Sequence, residues 1–328
     1  MTRLAAVLFS LVCLFSSGPV GAQDKYPSKP VRIVLPYGAG SATDIITRIL
    51  GEQLRQILGQ SFVAENKPGA FGILSIEEMA RAKPDGYTLQ VGNVSTNAIT
   101  PVLFADKFTI NYEKDVVPVS RLADLPTMLV VATKDFPPAT LAEFIAYAKQ
   151  RPGKLRYASP GAGSFPHYDM EILSRRAGIE MTPIHIKAGP PGYINDMAKG
   201  DIHVTFMNVA TAAPQIRSGV LRALVTTIEK RLPEYPGVPT MAEAGFPGVG
   251  TTLWAGLFAP AATPRPVLET LHKAVVQGLD APMVQDAYKK QNIRSGASRS
   301  LDEAKTWLAS EIAGWKKITS EIKVDLTD

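Results

Sequence analysis

The sequence predicts an α/β fold of two lobes, each a mostly parallel sheet flanked by helices, and three observations lead to it. One pattern repeats along the chain: a short β-branched run, a Gly/Pro/Ser loop, then a segment of helical period. That pattern breaks near Pro126 and restarts, and a long helical region closes the chain. With 328 residues and 45% hydrophobic content, there is material for two cores, since domains average ~150 residues.

The elements follow in order. Arg3, the uncharged apolar run Leu4–Phe15 and the small residues Val20-Gly21-Ala22 read as a secretory signal over residues 1–22, cleaved after Ala22. The run is shorter than the ~18–20 residues that span a bilayer. Cys13, the only cysteine, lies inside it, with Val12 where lipid attachment needs a small residue. The mature chain therefore uses neither disulfide nor thiol chemistry.

Val31–Leu35 reads as a buried strand. After the loop Pro36–Asp44, apolar Ile46, Ile49, Leu50, Leu54, Ile57 and Leu58 recur at helical spacing. Ser41 or Thr43 offers an N-cap, and Gly59 stops the helix. Strand Phe62–Glu65, a helix near Ile73–Arg81 and strand Thr88–Gly92 come next, with Asp85-Gly86 turning into the last. Two extended pieces then flank Pro126 between Val119 and Val131. The second unit reads as helix Leu141–Gln150, strand Leu155–Ala158, helix Tyr168–Ala177, strand Thr182–Lys187, helix Tyr193–Lys199 and strands His203–Met207 and Arg222–Thr226. A Pro/Gly-dense stretch leads to the extended run Leu253–Ala259 and to helices Pro266–Leu279, Met283–Gln291 and Leu301–Ile322.

Those last helices bring little sheet of their own, so they are expected to return to the first lobe. The expected division is 23–124 plus 252–328 for lobe 1 and 125–251 for lobe 2. The chain then crosses twice, near Arg121–Thr127 and Thr251–Trp254, and two crossings make a hinge.

Two loops look alike. Gly38-Ala39-Gly40-Ser41 and Gly161-Ala162-Gly163-Ser164 each follow a strand and open a helix, one in each half. Small residues there let backbone N–H groups converge, and a helix N-terminus adds roughly half a positive charge. The pair points to one carboxylate or phosphate gripped from both sides. Ser41, Thr43 and Ser164 either donate to such a group or cap their helices. Tyr37 is a cleft wall or covers the lobe's rim; Asp44 is a partner of the helix dipole, or an acceptor from the ligand or a water.

Other chemistries are less well served. The net charge of +5 is spread thinly, without a basic block, which argues against nucleic acid. Ser164 and His167 are three apart and invite a Ser/His hydrolase reading, but no G-x-S-x-G elbow or orienting acid accompanies them. His185 and His203 sit on separate strands without further ligands, so no metal is expected. The first loop lacks the third glycine of a dinucleotide fingerprint, so no cofactor is expected either. Lys187 is a surface ion-pair partner or a cleft residue.

At these residues the chain resembles the tripartite tricarboxylate transporter substrate-binding family, the Bug receptors. The likeness runs through YPSKPVRIVLPYGAGSATD, ENKPGAFGILSIEEMARAKPDGYTLQVGN, YASPGAGSFPH, IKAGPPGYINDMAKGDI, LRALVTT, VPTMAEAGFPG and GLFAPAATP, nearly the whole mature chain. It implies a type II periplasmic-binding-protein fold, a venus flytrap, that captures a small mono- or dicarboxylate in its interdomain cleft and does no chemistry on it. It further implies a periplasmic monomer that delivers its acid to membrane permease subunits; a sensor without a transporter and a secreted Ser164/His167 hydrolase remain as alternatives. Carried over residue by residue, the carboxylate lies between Tyr37, Gly38, Ala39, Gly40, Ser41, Thr43 and Asp44 of one lobe and Ser159, Gly161, Ala162, Gly163, Ser164 and His167 of the other, partly through waters. Ser95, Asn97 and Asn208 would border the ligand's distal end. The chain departs from the family at Ser41, where a second glycine is usual, and at Pro160, which removes an N–H donor. It departs also at Asn97, where His is frequent, and at His203, where Asp is frequent.

Overall fold

The computed structural model describes residues 26–186, 189–324 and 326. The signal segment 1–22 and Lys187 lie outside them. Two sheets organise the chain. The first has six strands in the order β11-β4-β10-β3-β1-β2, and the second has five in the order β7-β6-β8-β5-β9. The first comprises β1 (Val31–Leu35), β2 (Phe62–Asn66), β3 (Thr88–Asn93), β4 (Val116–Leu125), β10 (Leu253–Pro260) and the short β11 (Arg294–Ser295). The second comprises β5 (Thr127–Ala132), β6 (Leu155–Ser159), β7 (Met181–His185), β8 (Val204–Asn208) and β9 (Leu221–Thr226).

The architecture is α/β and two-lobed, but the sheets are mixed rather than mostly parallel. β1 pairs in parallel with β2 and β3, and β6 with β7 and β8. β10 runs antiparallel to both β3 and β4, and β5 to both β8 and β9. The cause is the double crossing. β4 ends at Leu125 and β5 begins at Thr127, paired with Asn208 at the carboxyl end of β8. The returning β10 likewise starts with Leu253 opposite Leu125. A strand that arrives from the other sheet enters at the carboxyl ends of its neighbours and must run back against them.

Helices cover the sheets where the apolar period predicted them. α1 (Ala42–Leu58) begins at Ser41, whose hydroxyl accepts the Asp44 N–H at 3.3 Å, and ends at Gly59 in a left-handed turn at φ 77°. Ile46, Leu50 and Leu54 form its buried face. α2 (Ile73–Ala80), α3 (Leu141–Lys149), α4 (Phe165–Ala177) and α5 (Pro190–Lys199) follow. α6 (Val209–Arg217) is a helix that the sequence reading passed over; it is capped by the Asn208 side chain, which accepts the Thr211 N–H at 2.9 Å. α7 (Arg265–Asp280), α8 (Pro282–Lys290) and α9 (Leu301–Glu321) close the chain.

The terminal helices rest on the first sheet: α7 packs on α1, and α9 on β4. α9 reaches further than expected, because Trp315 meets Tyr168 of α4 edge-on at 5.6 Å. The largest wholly buried side chains, among them Trp254, Tyr157 and Phe206, belong to both sheets. One buried cluster runs through both sheets, and a second lies on the second sheet alone.

Candidate functional site

The first loop is built by α1 itself. Gly40 is left-handed at φ 79°, and its N–H donates to Asp44 Oδ2 at 3.0 Å. Asp44 also receives Arg48 Nε at 3.0 Å and Asn66 Nδ2 at 3.0 Å. Burial would raise its carboxyl, but the bonds from Arg48, the Gly40 N–H and Asn66 outweigh burial and hold it below the usual range. Asp44 is therefore a clamp that shapes the loop, and its acceptor capacity is largely spent inside the protein. The Ser41 hydroxyl takes the Asp44 N–H, and no described residue accepts from the N–H groups of Ala42 and Thr43. These are the orphan donors of a 17-residue helix. Gly38, Ala39 and Gly40 are exposed, and a Cβ on Gly38 or Gly40 would meet nothing within 4 Å. The Thr43 side chain is buried.

The second loop repeats this frame with different chemistry. Gly163, at φ 76°, donates its N–H to His167 Nδ1 at 3.1 Å, as Gly40 does to Asp44 four residues on. Ser164 does not cap with its side chain; its hydroxyl donates to the Gly161 carbonyl at 2.7 Å. Ser159 accepts the Gly161 N–H at 3.3 Å and meets His185 Nδ1 at 2.7 Å, and the rings of His185 and His167 lie 4.8 Å apart. His185 was weighed only as a strand residue and a metal ligand, since nothing in sequence shows that β7 lies beside β6.

A relay joins the two loops. Tyr37 donates its hydroxyl to Asn93 Oδ1, which also accepts the Ser95 N–H at 3.0 Å. The Ser95 hydroxyl then accepts the N–H of Phe165, the first residue of α4, at 3.2 Å. Burial pushes the Tyr37 hydroxyl well up, so it stays a donor. Ser95 sits in a π-helical turn, Ser95–Ile99, of the kind that recurs at functional sites. Tyr37, Ser95 and the start of α4 are thereby brought together across the two sheets.

The structure corrects one expectation and narrows two others. Asn97 does not border a ligand: it is wholly buried, donates to Gln90 Oε1 and the Tyr112 hydroxyl, and accepts from Thr96. Asn208 spends its side-chain oxygen on capping α6. The second loop is also not an open cradle. Gly161, Ala162, Gly163 and Ser164 are buried, and a Cβ on Gly161 would lie 3.3 Å from Phe71, one on Gly163 only 2.7 Å from Leu103. Side chains of the first sheet's connections cover the loop, a contact no single-lobe reading reveals. His203, one of the departures, sits before β8, at the opposite end from the loops, and its Nδ1 accepts the Arg156 N–H.

Phe71 was also missed. Gly69, Ala70, Phe71 and Gly72 all have positive φ, and the left-handed form costs a non-glycine residue about 1–2 kcal/mol. The glycines flanking Ala70-Phe71 were the available signal.

At the crossings, the hydroxyls of Thr127 and Thr227 meet at 2.7 Å, and Thr127 donates to the Thr251 carbonyl at 2.8 Å. Thr251 gives its N–H and hydroxyl to Asp169 of α4 at 2.8 and 2.7 Å. Burial raises the Asp169 carboxyl to about 7, against the pull of the two Thr251 bonds. Among the described residues no three His, Cys, Asp or Glu side chains gather as a metal would require. A surface hollow of about 460 Å³, lined by Thr133, Ile216, Arg222 and Tyr235 among others, shares no residue with the loops.

Residues 46–324 match the tripartite tricarboxylate transporter family receptor. The chain belongs to that family. BugT of Bordetella pertussis is 30% identical over 322 residues, covering 98% of each chain. An R. palustris protein solved with adipate superposes with a TM-score of 0.84 at 29% identity, covering 90% of this chain and 97% of its own. MatC from Rhodopseudomonas palustris with bound malate gives 0.81 at 30% identity, covering 89% and 99%. The family consists of two-lobed periplasmic solute-binding receptors and is not a class of enzymes. No described helix is long and apolar enough to cross a membrane.

Proposed function

We propose that the chain is a secreted receptor that binds a small organic carboxylate between its lobes, releases it unchanged, and supplies a tripartite tricarboxylate-type permease. The observation that carries this reading is the first loop: exposed Gly38–Gly40 beside the unpaired Ala42 and Thr43 N–H groups. Charge-assisted bonds to such donors contribute about 1.5–3 kcal/mol each, so a few of them reach micromolar affinity, about −8 kcal/mol. Residues 23–124 with 252–328 form one lobe and 125–251 the other, hinged at Pro126 and at Thr251. Shutting the hinge brings Ser159–His167 toward the same acid, and the Tyr37–Asn93–Ser95–Phe165 relay holds that arrangement. The signal 1–22 sends the protein to the periplasm, where it acts as a monomer. The relatives' adipate and malate are the chemical class to try first.

A hydrolase is disfavoured because the Ser164 proton is given to a carbonyl oxygen rather than to a base. A thermal-shift screen of mono- and dicarboxylates, followed by calorimetry, tests the proposal. We expect a saturable hit whose stabilisation follows RT ln(1 + [L]/Kd). The hit should be lost in Gly40→Val, since a β-branched residue disfavours φ 79°. Unaltered binding in Gly40→Val refutes the site, and ester turnover abolished by Ser164→Ala refutes the receptor.

A further inference from the structure

We infer that Asp169 makes closure of this receptor proton-dependent, so that a carboxylate is held more tightly on the acid side of neutrality than on the alkaline side; the inference rests on the receptor reading above. Asp169 lies on α4, the helix that Ser164 opens and that receives the Ser95 bond at Phe165. It is 1% exposed, and both its oxygens are spent on one residue of the return crossing, the Thr251 N–H at 2.8 Å and the Thr251 hydroxyl at 2.7 Å. The Thr251 carbonyl is held in turn by the Thr127 hydroxyl of the outward crossing. Two residues on, Leu253 opens β10 in the other sheet. One buried carboxyl thus ties the helix behind the second loop to the segment about which the lobes turn.

Its surroundings supply no counter-charge. Among the described residues no Lys, Arg or His bonds to Asp169. On α4 itself, His167 takes the Gly163 N–H beside His185, and Glu171 takes the Tyr157 hydroxyl of β6. Arg175 and Arg176 donate to the Lys323 and Pro247 carbonyls, and β8 brings no titratable side chain. In the stretch before the crossing Arg231 pairs with Glu243. On α9, Glu311 accepts the Trp254 indole N–H, with Arg121 and Asp124 near it. A carboxylate at Asp169 would lose its hydration without gaining a cation, so the neutral acid is preferred and burial lifts the group to about 7. The proton breaks no bond: with it in place Oδ1 donates to the Thr251 hydroxyl, while Oδ2 keeps the N–H. Opening bends the chain at the crossing and lets water reach the carboxyl, returning it toward the ordinary ~4. The shut form therefore binds the proton more tightly than the open one. Closure takes a proton up and weakens as pH rises through about 7.

Calorimetry at pH 6, 7 and 8 with malate, adipate and the other acids of the carboxylate screen, on wild type and Asp169→Asn, tests this. Wild-type affinity should fall about tenfold from pH 6 to pH 8, and binding at pH 7 should take up about half a proton, read from the dependence of the heat on the buffer. Asparagine reproduces the protonated carboxyl, donating to the Thr251 hydroxyl and accepting its N–H. That variant should bind equally at all three pH values and, at pH 8, more tightly than wild type, a gain that a loss of packing would not give. If it does not fold, Asp169→Ser, equally without a titrating proton, serves for the pH profile. Wild type whose affinity is the same from pH 6 to 8, or a fall that persists in the variants, overturns the role of Asp169 and leaves the receptor reading intact. Wild type that binds no acid of the screen overturns both.

Discussion

Asp44 and Asp169 are both buried carboxylates, and their surroundings drive them in opposite directions. Asp44 is held below the usual range by Arg48, the Gly40 N–H and Asn66 despite its burial, so its contribution exists at neutral pH and is lost as pH falls below ~4. Asp44→Ala should cost about 1–3 kcal/mol at pH 7, with the difference from wild type shrinking in acid, as urea melts at pH 7 and 3.5 would show. Asp169 is raised to about 7, so the folded state holds its proton more tightly than the unfolded chain does. Its contribution is complete below pH ~4 and disappears as pH rises through about 7. Asp169→Asn, which carries no titrating proton, should remove a decline on the order of a few kcal/mol between pH ~4 and about 7. An identical decline in the variant would show that Asp169 is not its source.

At the scale of elements, what could be read in advance was what local chemistry dictates. Ser41, Gly59 and the spacing from Ile46 to Leu54 mark α1 at both ends and on its buried face. α6 went unread between β8 and β9, and it accommodates Pro214 within the helix. Strand direction escaped too, since β5 and β10 carry no mark that they arrive from the opposite lobe. The paired Gly-Ala-Gly-Ser loops were legible as loops, but the covering of the second by Phe71, Leu103 and Phe104 depends on residues roughly 60–90 positions away. Polar side chains were hardest to place: Asn97 looks like a ligand contact in a sequence and serves a core network, and Asn208 gives its side-chain oxygen to a helix cap. Asn208→Ala should therefore lower stability by about 1 kcal/mol, read from denaturant melts, and change carboxylate affinity less than twofold. A tenfold loss of affinity at unchanged stability would return Asn208 to the site.

At the scale of the molecule, the two sheets are tied at several places, among them the threonine cluster at the crossings, the Ser95–Phe165 bond, and the Trp315–Tyr168 contact. Gly163 lies where the lobes press together, with Leu103 2.7 Å from any Cβ added there. Gly163→Val should prop the lobes apart, raise the radius of gyration in X-ray scattering and weaken ligand binding by shifting the population toward the open form. An unchanged scattering profile would mean that Leu103 yields and that the contact does not govern closure.

The most direct test of the central claim is an amide ¹H–¹⁵N titration of the deuterated protein with the best-binding carboxylate. The account requires saturable shifts centred on Gly38, Ala39, Ala42 and Thr43, with Ser95 and Phe165 following as the lobes settle. Shifts confined elsewhere, for instance to the hollow around Thr133 and Tyr235, with the Gly38–Thr43 amides unmoved, would contradict it.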